Sequence, residues 1–482
     1  MKVYFIGAGP GDPELVSVKA MRVLKTADVV LYDYLVHPNI ILAAKDADKV
    51  CVGKKKGAHS TQQKDINQLL VKYAKEGKTV ARLKGGDPMV FGRCGEEMTA
   101  LNEANLPYEI IPGITSAISV PTYAGIPITH RDYSHSVAFV TATRANDIEN
   151  MEFPNADTLV IMMSLLRLSG IVARLTELRS PDTPIAIIEA GTYANERVLV
   201  GTLANIEAMQ KNAQLEPPAL MVVGDVAQLR HQFNWRAHLP LRNRRFVISR
   251  SHHQQSTLVD QLANLGAEVL TIPMNDILPD YSALIDVNLS DITHIIFTSE
   301  NGVRSFFTVL TDNNMDARSL ANKQIIAIGQ HTTSILNSFG ILPDMMPNVS
   351  TSKGIIDALC TELNSSHHVL IPTSSAADNA FEALSATGAK VTKVSIYSNQ
   401  IPADIDLKIN WIKPDDIFIF MNTAAVNRLH DRYDQLPAHL VFSIGPMTSE
   451  ALKAIGVSLI HEAETPSIDA VIQKIIHIVE KH

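Results

Sequence analysis

The sequence predicts an α/β fold divided into more than one domain, and three observations carry that prediction. Short apolar runs alternate with helix-like periods along the whole chain, the pattern of strands joined through helices. At 482 residues the chain exceeds the roughly 250–300 residues at which a single core stops growing. Three short motifs also recur in the same order within the second half, which indicates a duplicated unit.

Composition narrows the class. With 46% hydrophobic and 19% charged residues the chain has apolar material for packed cores and does not read as disordered. A net charge of -8 argues against broad nucleic-acid or acidic-membrane binding while leaving room for local basic pockets. Cys51, Cys94 and Cys360 stand far apart, so neither a metal spacing nor a disulfide framework is present. The apolar stretch after Met1-Lys2 is too short for a signal peptide, and no run approaches a membrane span. The expectation is a cytoplasmic protein with no nucleic-acid or membrane partner and no metal.

In chain order, Val3–Ile6, Val29–Tyr32, Val80–Leu83, Val137–Val140, Leu159–Met162, Ile185–Ile188 and Leu220–Val223 read as strands. A helix is expected from Leu15 to Leu24. The period fails across His231–Arg244, which places a boundary between domains at 1–240 and 245–482. Beyond it, Gly266-Ala267-Glu268-Val269 recurs as Gly388-Ala389-Lys390-Val391, and Ile296-Phe297-Thr298-Ser299 as Ile419-Phe420-Met421-Asn422. Ile328-Gly329-Gln330-His331-Thr332 recurs as Ile444-Gly445-Pro446-Met447-Thr448. The expected architecture is a pair of similar α/β lobes with a cleft between them, the chain crossing near 275–279 and 398–402.

Two loops of the first half draw attention. Gly7-Ala8-Gly9-Pro10-Gly11-Asp12 follows a strand and precedes a helix, but a dinucleotide fingerprint needs a third glycine where Asp12 stands. Alone it is a nucleotide-like site or a tight turn. Arg82-Leu83-Lys84-Gly85-Gly86-Asp87-Pro88-Met89-Val90-Phe91-Gly92-Arg93 is a strand entering a Gly-Gly-Asp turn. Asp87 there can accept hydrogen bonds from ribose hydroxyls or an amino group, and Arg82, Lys84 and Arg93 suit the carboxylates of an acidic substrate. The plainer alternative is a strand–turn–helix junction with solvated charges.

These loops are joined by Tyr32-Asp33-Tyr34-Leu35-Val36, Val52-Gly53-Lys54-Lys55-Lys56-Gly57-Ala58-His59 with Gln63, Pro112-Gly113-Ile114-Thr115-Ser116-Ala117 and Gly125-Ile126-Pro127-Ile128-Thr129-His130-Arg131. In this order they resemble the uroporphyrinogen-III C-methyltransferases of the tetrapyrrole methylase family, over about residues 1–240. The resemblance implies a two-lobed methylase fold and S-adenosyl-L-methionine (SAM) as methyl donor, with S-adenosyl-L-homocysteine as product. It implies donor contacts from Pro10, Gly85, Gly86, Asp87, Val90, Thr115, Ser116, Met163, Gly191 and Ala219. It makes Asp33 the proton acceptor and Lys54 the proton donor, and Arg82, Lys84, Arg93, His130 and Arg131 contacts to an acidic tetrapyrrole. It also implies a homodimer through this half. The chemistry agrees: methylating a ring carbon needs a sulfonium methyl held in line and a base for the displaced proton. The sequence departs from the family at Tyr34, at Cys94-Gly95-Glu96-Glu97 and at Met162-Met163-Ser164. Tyr34 replaces the family's usual arginine and so removes a cation.

The second half is chemically quieter. Small polar groups precede its helices at Thr298-Ser299, Thr332-Thr333, Thr373-Ser374-Ser375 and Thr448-Ser449, where they either cap helices or gather an anion at helix N-termini. Ser350-Thr351-Ser352-Lys353 lacks the partner motifs of a penicillin-binding site. His252-His253 and His367-His368 lack ligand-like neighbours. Arg245–Arg250, Gly266–Pro273, Phe297–Val303, Ile328-Gly329, Tyr397 and Ile444-Gly445-Pro446 together resemble uroporphyrinogen-III synthase over about 245–482. That resemblance implies ring closure of hydroxymethylbilane with inversion of its last ring. It gives Tyr397 a part in loss of hydroxide and makes Thr298, Ser299, Thr332 and Thr448 substrate contacts. The reading is a bifunctional enzyme that makes uroporphyrinogen III and methylates it twice, giving precorrin-2 for siroheme or cobalamin. The rival is another tetrapyrrole or diphthamide-type methylase with a ligand-sensing, non-catalytic second half.

Overall fold

A computed structural model describes residues 2–53, 62–142, 151–249, 256–375, 379–402, 404–433, 436 and 440–481. The chain forms two compact units. Unit 1 joins Met1–Ile272 to Asp406–His482, and unit 2 is Pro273–Ile405.

Unit 1 opens with a parallel sheet of β1 (Val3–Gly7), β2 (Val29–Tyr32), β3 (Asp48–Cys51), β4 (Val80–Lys84) and β5 (Tyr108–Ile111) in the order β3-β2-β4-β1-β5. β2 and β4 are buried throughout, as central strands covered on both faces must be. A second, mixed sheet holds β6 (Val137–Thr141), β7 (Thr158–Met162), β8 (Pro184–Glu189), β9 (Arg197–Thr202) and β10 (Ala219–Val223) in the order β6-β7-β10-β8-β9. A third sheet begins with β11 (Arg245–Ile248) and β12 (Glu268–Thr271).

The chain then builds unit 2 from β13 (Asp276–Pro279), β14 (His294–Phe297), β15 (Gln324–Ala327), β16 (His368–Ser374) and β17 (Lys390–Gln400), ordered β13-β17-β16-β14-β15. It returns to unit 1 as β18 (Ile417–Phe420), β19 (Val441–Ser443) and β20 (Ile460–Glu462), which complete the parallel sheet β12-β11-β18-β19-β20. The two segments expected to carry the crossings pair with each other inside unit 2: β13 runs antiparallel to the end of β17, with Pro279 opposite Tyr397.

All seven strands expected in the first half are present, and β3, β5 and β9 are additional. Each of the three lies at the edge of its sheet. Within these three strands no apolar run exceeds three residues, because Asp48 and Lys49, Glu109, and Arg197, Gly201 and Thr202 break the runs. The helix expected from Leu15 is corrected. Pro13–Leu15 forms a single 3-10 turn, and the α-helix begins at Val18 with Ser17 as its cap, the Ala20 amide donating to Ser17 Oγ at 3.2 Å.

The repeated motifs hold matching local structure. Ser299 (φ -163°, ψ 158°) caps the helix Glu300–Asp312 after β14, and Asn422 (φ -164°, ψ 158°) caps Thr423–His430 after β18. Gly329 and Gly445 cap the helices Gln330–Ser338 and Pro446–Ala454 with the same extended backbone. This corrects the capping reading of Thr332 and Thr448. Both lie within the first turn of their helices, buried at 4% exposure.

Candidate active sites

In unit 1, three turns of the first sheet meet because glycine lets their backbones touch. The Gly9 and Gly86 amides each donate to the other's carbonyl, at 3.2 and 2.7 Å. A Cβ on Gly7 would stand 2.4 Å from the Gly113 nitrogen, and one on Gly113 would stand 2.3 Å from the Gly86 carbonyl oxygen. Gly86 has φ +68°, a conformation that favours glycine. This contact brings Gly85, Gly86 and Asp87 beside Thr115 and Ser116, where Thr115 caps the helix Ser116–Tyr123.

Met163, Gly191 and Ala219 gather at neighbouring strand ends of the second sheet. Leu220 pairs with Met162, and the Ala190 amide donates to the Pro218 carbonyl. The Asp12 amide donates to Thr192 Oγ1 at 3.2 Å, tying this group to the Gly9–Gly11 loop beside Pro10. Met163, Ala190 and Thr192 all have positive φ. Such backbone outliers collect where a site over-determines its local structure. Val90 sits in the turn after Asp87. Gly85 is exposed, Pro10 half-exposed and Met163 48% exposed. Both Asp87 oxygens already accept backbone amides, from Met89 at 2.8 Å and Gly113 at 3.0 Å. A ribose or amino group would use the remaining lone pairs.

Asp33 follows β2 directly, its amide donating to the Leu83 carbonyl of β4 at 3.2 Å. Its side chain is 32% exposed, and Arg82 Nη2 donates to its Oδ1 at 2.7 Å. Behind it lies a fully buried carboxylate that no sequence motif had marked for chemistry. Glu97 accepts from Arg82 Nε at 3.1 Å, from Lys84 Nζ at 2.9 and 3.0 Å, and from Gln63 Nε2 at 3.3 Å. Arg82 and Lys84 are thus 2% and 3% exposed, locked into a chain of alternating charge. Burial penalises an unpaired charge heavily, so two cations on adjacent inward positions of β4 require such a partner. Arg82 and Lys84, expected to meet substrate carboxylates, here meet the protein's own carboxylates at Asp33 and Glu97. The same environment raises the Cys94 thiol to about 11, chiefly through burial.

Arg93 is exposed and paired with Glu96 at 2.8 Å, and Arg131 is exposed. His130 is half-buried, its Nδ1 accepting from the Asp132 amide. Lys54 lies outside the described residues. Tyr34 is 55% exposed.

In unit 2 the chemistry is made of hydroxyls. Ser299 Oγ accepts from the Gly302 amide at 3.1 Å and stands 3.4 Å from the Tyr397 hydroxyl. Tyr397 is buried on β17, where the pairing with β16 slips one residue between Thr373 and Ser374. Such a bulge re-aims a side chain. Glu300 binds Arg304 at 2.8 Å and His331 at 3.0 Å. A small cavity beside β16 is lined by Thr298, Ser352, Thr373, Asn379, Glu382 and Lys393.

Sequence comparison identifies two family models in the chain. Residues 2–207 match the tetrapyrrole (corrin/porphyrin) methylases, and residues 256–473 match uroporphyrinogen-III synthase HemD. The porphyrin biosynthesis protein HemD of Ruminiclostridium josui is 32% identical over 99% of this chain and 98% of its own length. The uroporphyrinogen-III C-methyltransferase of Methanocaldococcus jannaschii is 49% identical, over 47% of this chain and 97% of its own. A siroheme synthase of Psychrobacter arcticus is also 49% identical, but the match covers only 44% of that protein.

Proposed function

This chain belongs to the family that joins a tetrapyrrole methylase to a uroporphyrinogen-III synthase, and from that premise we propose that it closes hydroxymethylbilane to uroporphyrinogen III and methylates that product twice to precorrin-2, at the branch towards siroheme or cobalamin. We divide the work at residues 1–240 and 245–482, place the protein in the cytoplasm, and propose a homodimer through the methyltransferase half.

The observation that carries the methyl-transfer reading is the Asp33–Arg82–Glu97 chain. SAM would be held by Pro10, Gly85, Gly86, Asp87, Val90, Thr115, Ser116, Met163, Gly191 and Ala219 and would supply an electrophilic methyl group, its sulfur–methyl bond breaking to leave S-adenosyl-L-homocysteine. Asp33 takes the proton that the ring loses once the new carbon–carbon bond forms. The Arg82 guanidinium fixes which way the Asp33 carboxylate faces. Arg93, His130 and Arg131 remain available to substrate carboxylates, and Lys54 is assigned the return of a proton. In the second half, Tyr397 assists departure of hydroxide, and Thr298 and Lys393 line the cavity that takes a carboxylate side chain.

Mass spectrometry of the products formed from hydroxymethylbilane and SAM tests both halves. The expected product carries two added methyl groups on the type III skeleton. Type I isomer alone would sink the synthase reading, and a singly methylated end product would sink the double transfer. Asp33→Asn is expected to lower methyl transfer about a thousandfold while SAM still binds by calorimetry.

A further inference from the structure

The second half grips the methyltransferase at the segment that carries Asp33. After Asp33 the chain makes a tight turn, the Val36 amide donating to the Asp33 carbonyl at 3.1 Å. Tyr34 and Leu35 are half exposed or more and add little packing. The helix Pro38–Leu42 follows, capped by His37, whose Nδ1 accepts from the Asn39 amide at 3.2 Å. Beyond the turn, Val36 at 5% exposure and Ile40 and Ile41 at 1% pack into the core beneath the first sheet. One end of the Asp33 loop is held by Leu83 and Arg82, through the Asp33 amide at 3.2 Å and its carboxylate at 2.7 Å.

The other end is held by that packing and, in addition, by β12, about 230 residues further along the chain. β12 is an edge strand, so its outward carbonyls and amides lack a strand partner. Asn39 supplies one. Its Nδ2 donates to the Val269 carbonyl at 2.8 Å, and its Oδ1 accepts from the Thr271 amide at 3.1 Å and from Thr271 Oγ1 at 3.2 Å. The side-chain amide thus offers the donor and acceptor of an added strand. Beside it, Glu268 Oε2 accepts from the Ala194 amide at 2.7 Å, and its Oε1 lies 3.7 Å from the buried His37 Nε2. The neighbouring Tyr193 hydroxyl donates to the Leu35 carbonyl at 2.7 Å, inside the Asp33 loop itself.

We propose that the synthase half serves the methyltransferase directly, with Asn39 as a positioning residue that fixes the Asp33 loop against β12. This rests on the assignment of Asp33 as the proton acceptor. The M. jannaschii relative, matched over 97% of its length by the first half alone, has no room for a second half, so the grip is a property of the joined chain. Its consequence is that methyl transfer depends on a contact made outside residues 1–240. A displacement of about an ångström between base and substrate costs up to a hundredfold in rate, and loosening one of the loop's several anchors is expected to cost about a tenth of that.

The experiment uses the full chain. Asn39→Ala is expected to lower kcat for methyl transfer about tenfold, with KM for SAM, SAM affinity by calorimetry and the rate of ring closure unchanged. Amide exchange over residues 34–42 rises. Asn39→Asp, which keeps the acceptor and loses the donor to Val269, is expected to move kcat the same way and guards against misfolding of the alanine variant. Unchanged kcat in both variants overturns the proposal. So does a loss that falls equally on kcat, SAM affinity and ring closure, since that is global destabilisation. Asp33→Asn is run alongside. If it retains turnover, the assignment of Asp33 fails; if it loses turnover while both Asn39 variants keep theirs, only the grip fails.

Discussion

The two candidate sites handle polarity in opposite ways. In unit 1 the groups around Asp33 are formal charges taken out of water and paired: Glu97 is fully buried between Arg82 and Lys84. In unit 2 the groups around Tyr397 are hydroxyls and helix caps, with one exposed-side ion cluster at Glu300. The difference matches the proposed chemistries. Proton removal after methyl transfer needs a carboxylate held in one place, and a network of fixed charge does that. Ring closure of an intrinsically reactive, many-carboxylate substrate needs shape and neutral donors, and strong acids or bases near it would promote side reactions.

The largest expected effect tests whether the charged site is as tightly coupled as its geometry implies. Glu97→Ala leaves Arg82 and Lys84 buried with Asp33 as their sole remaining carboxylate in the network. Removing one partner of a buried pair costs about 3–5 kcal/mol. Calorimetric unfolding of the full chain should show the unit 1 transition lowered, with Glu97→Gln intermediate because the amide still accepts from Arg82. A cost under about 1 kcal/mol, the value of a surface pair, would erase the contrast between the sites.

A smaller effect, dependent on pH, is expected where the second half meets the first within unit 1. Burial alone would raise the Glu268 carboxyl, but His37 and the Arg245 guanidinium hold it down at about 2. The Arg245 contact, at 2.8 Å against 3.7 Å for His37, is the stronger. A carboxyl whose folded value lies below its unfolded value adds stability that is complete above the unfolded value and fades as the pH falls towards the folded one. For Glu268 the window runs from about pH 4.5 down to about 2, and the full term is about 3 kcal/mol. Glu268→Gln should therefore lower stability near neutrality, and the gap to the parent protein should narrow below about pH 4.5 and close only as the pH falls to about 2 and below. A gap that stays constant with pH would show that packing, not charge, holds this contact.

How far these sites were legible follows from what each residue signals locally. The Gly-Gly-Asp turn and Gly7–Asp12 announce themselves because close backbone approach demands glycine, and they do meet. Arg82 and Lys84 alternate on a strand, so the sequence marks them as charged without revealing that both turn inward. Glu97 was visible only as the second glutamate of a helix, and its role depends on strands folded from residues 13 and 15 positions earlier. Asn39 gave no signal, since its partner lies in another domain of the sequence. Thr332 and Thr448 looked like caps because they follow glycine, yet Gly329 and Gly445 cap those helices through backbone alone. Strands β3, β5 and β9 were silent because their apolar runs are too short to stand out from a loop.

The smallest expected effect probes the quiet site. Ser299 is a helix cap whose oxygen accepts from Gly302, so Ser299→Ala should cost about 1 kcal/mol of unit 2 stability. Tyr397→Phe removes a hydroxyl that stands 3.4 Å from Ser299, at the limit of a hydrogen bond, while the ring keeps its place in the core with Phe297 and Ile396. Its expected cost is under about 0.5 kcal/mol. The two hydroxyls thus separate by what they support: Ser299 the helix, Tyr397 the reaction. Ring closure slowed by Tyr397→Phe at nearly parental stability would give the tyrosine its place in loss of hydroxide. If instead Tyr397→Phe destabilises unit 2 as much as Ser299→Ala and leaves the rate of ring closure unchanged, the hydroxyl is a packing contact, and the neutral site must act through shape and the cavity beside β16 alone.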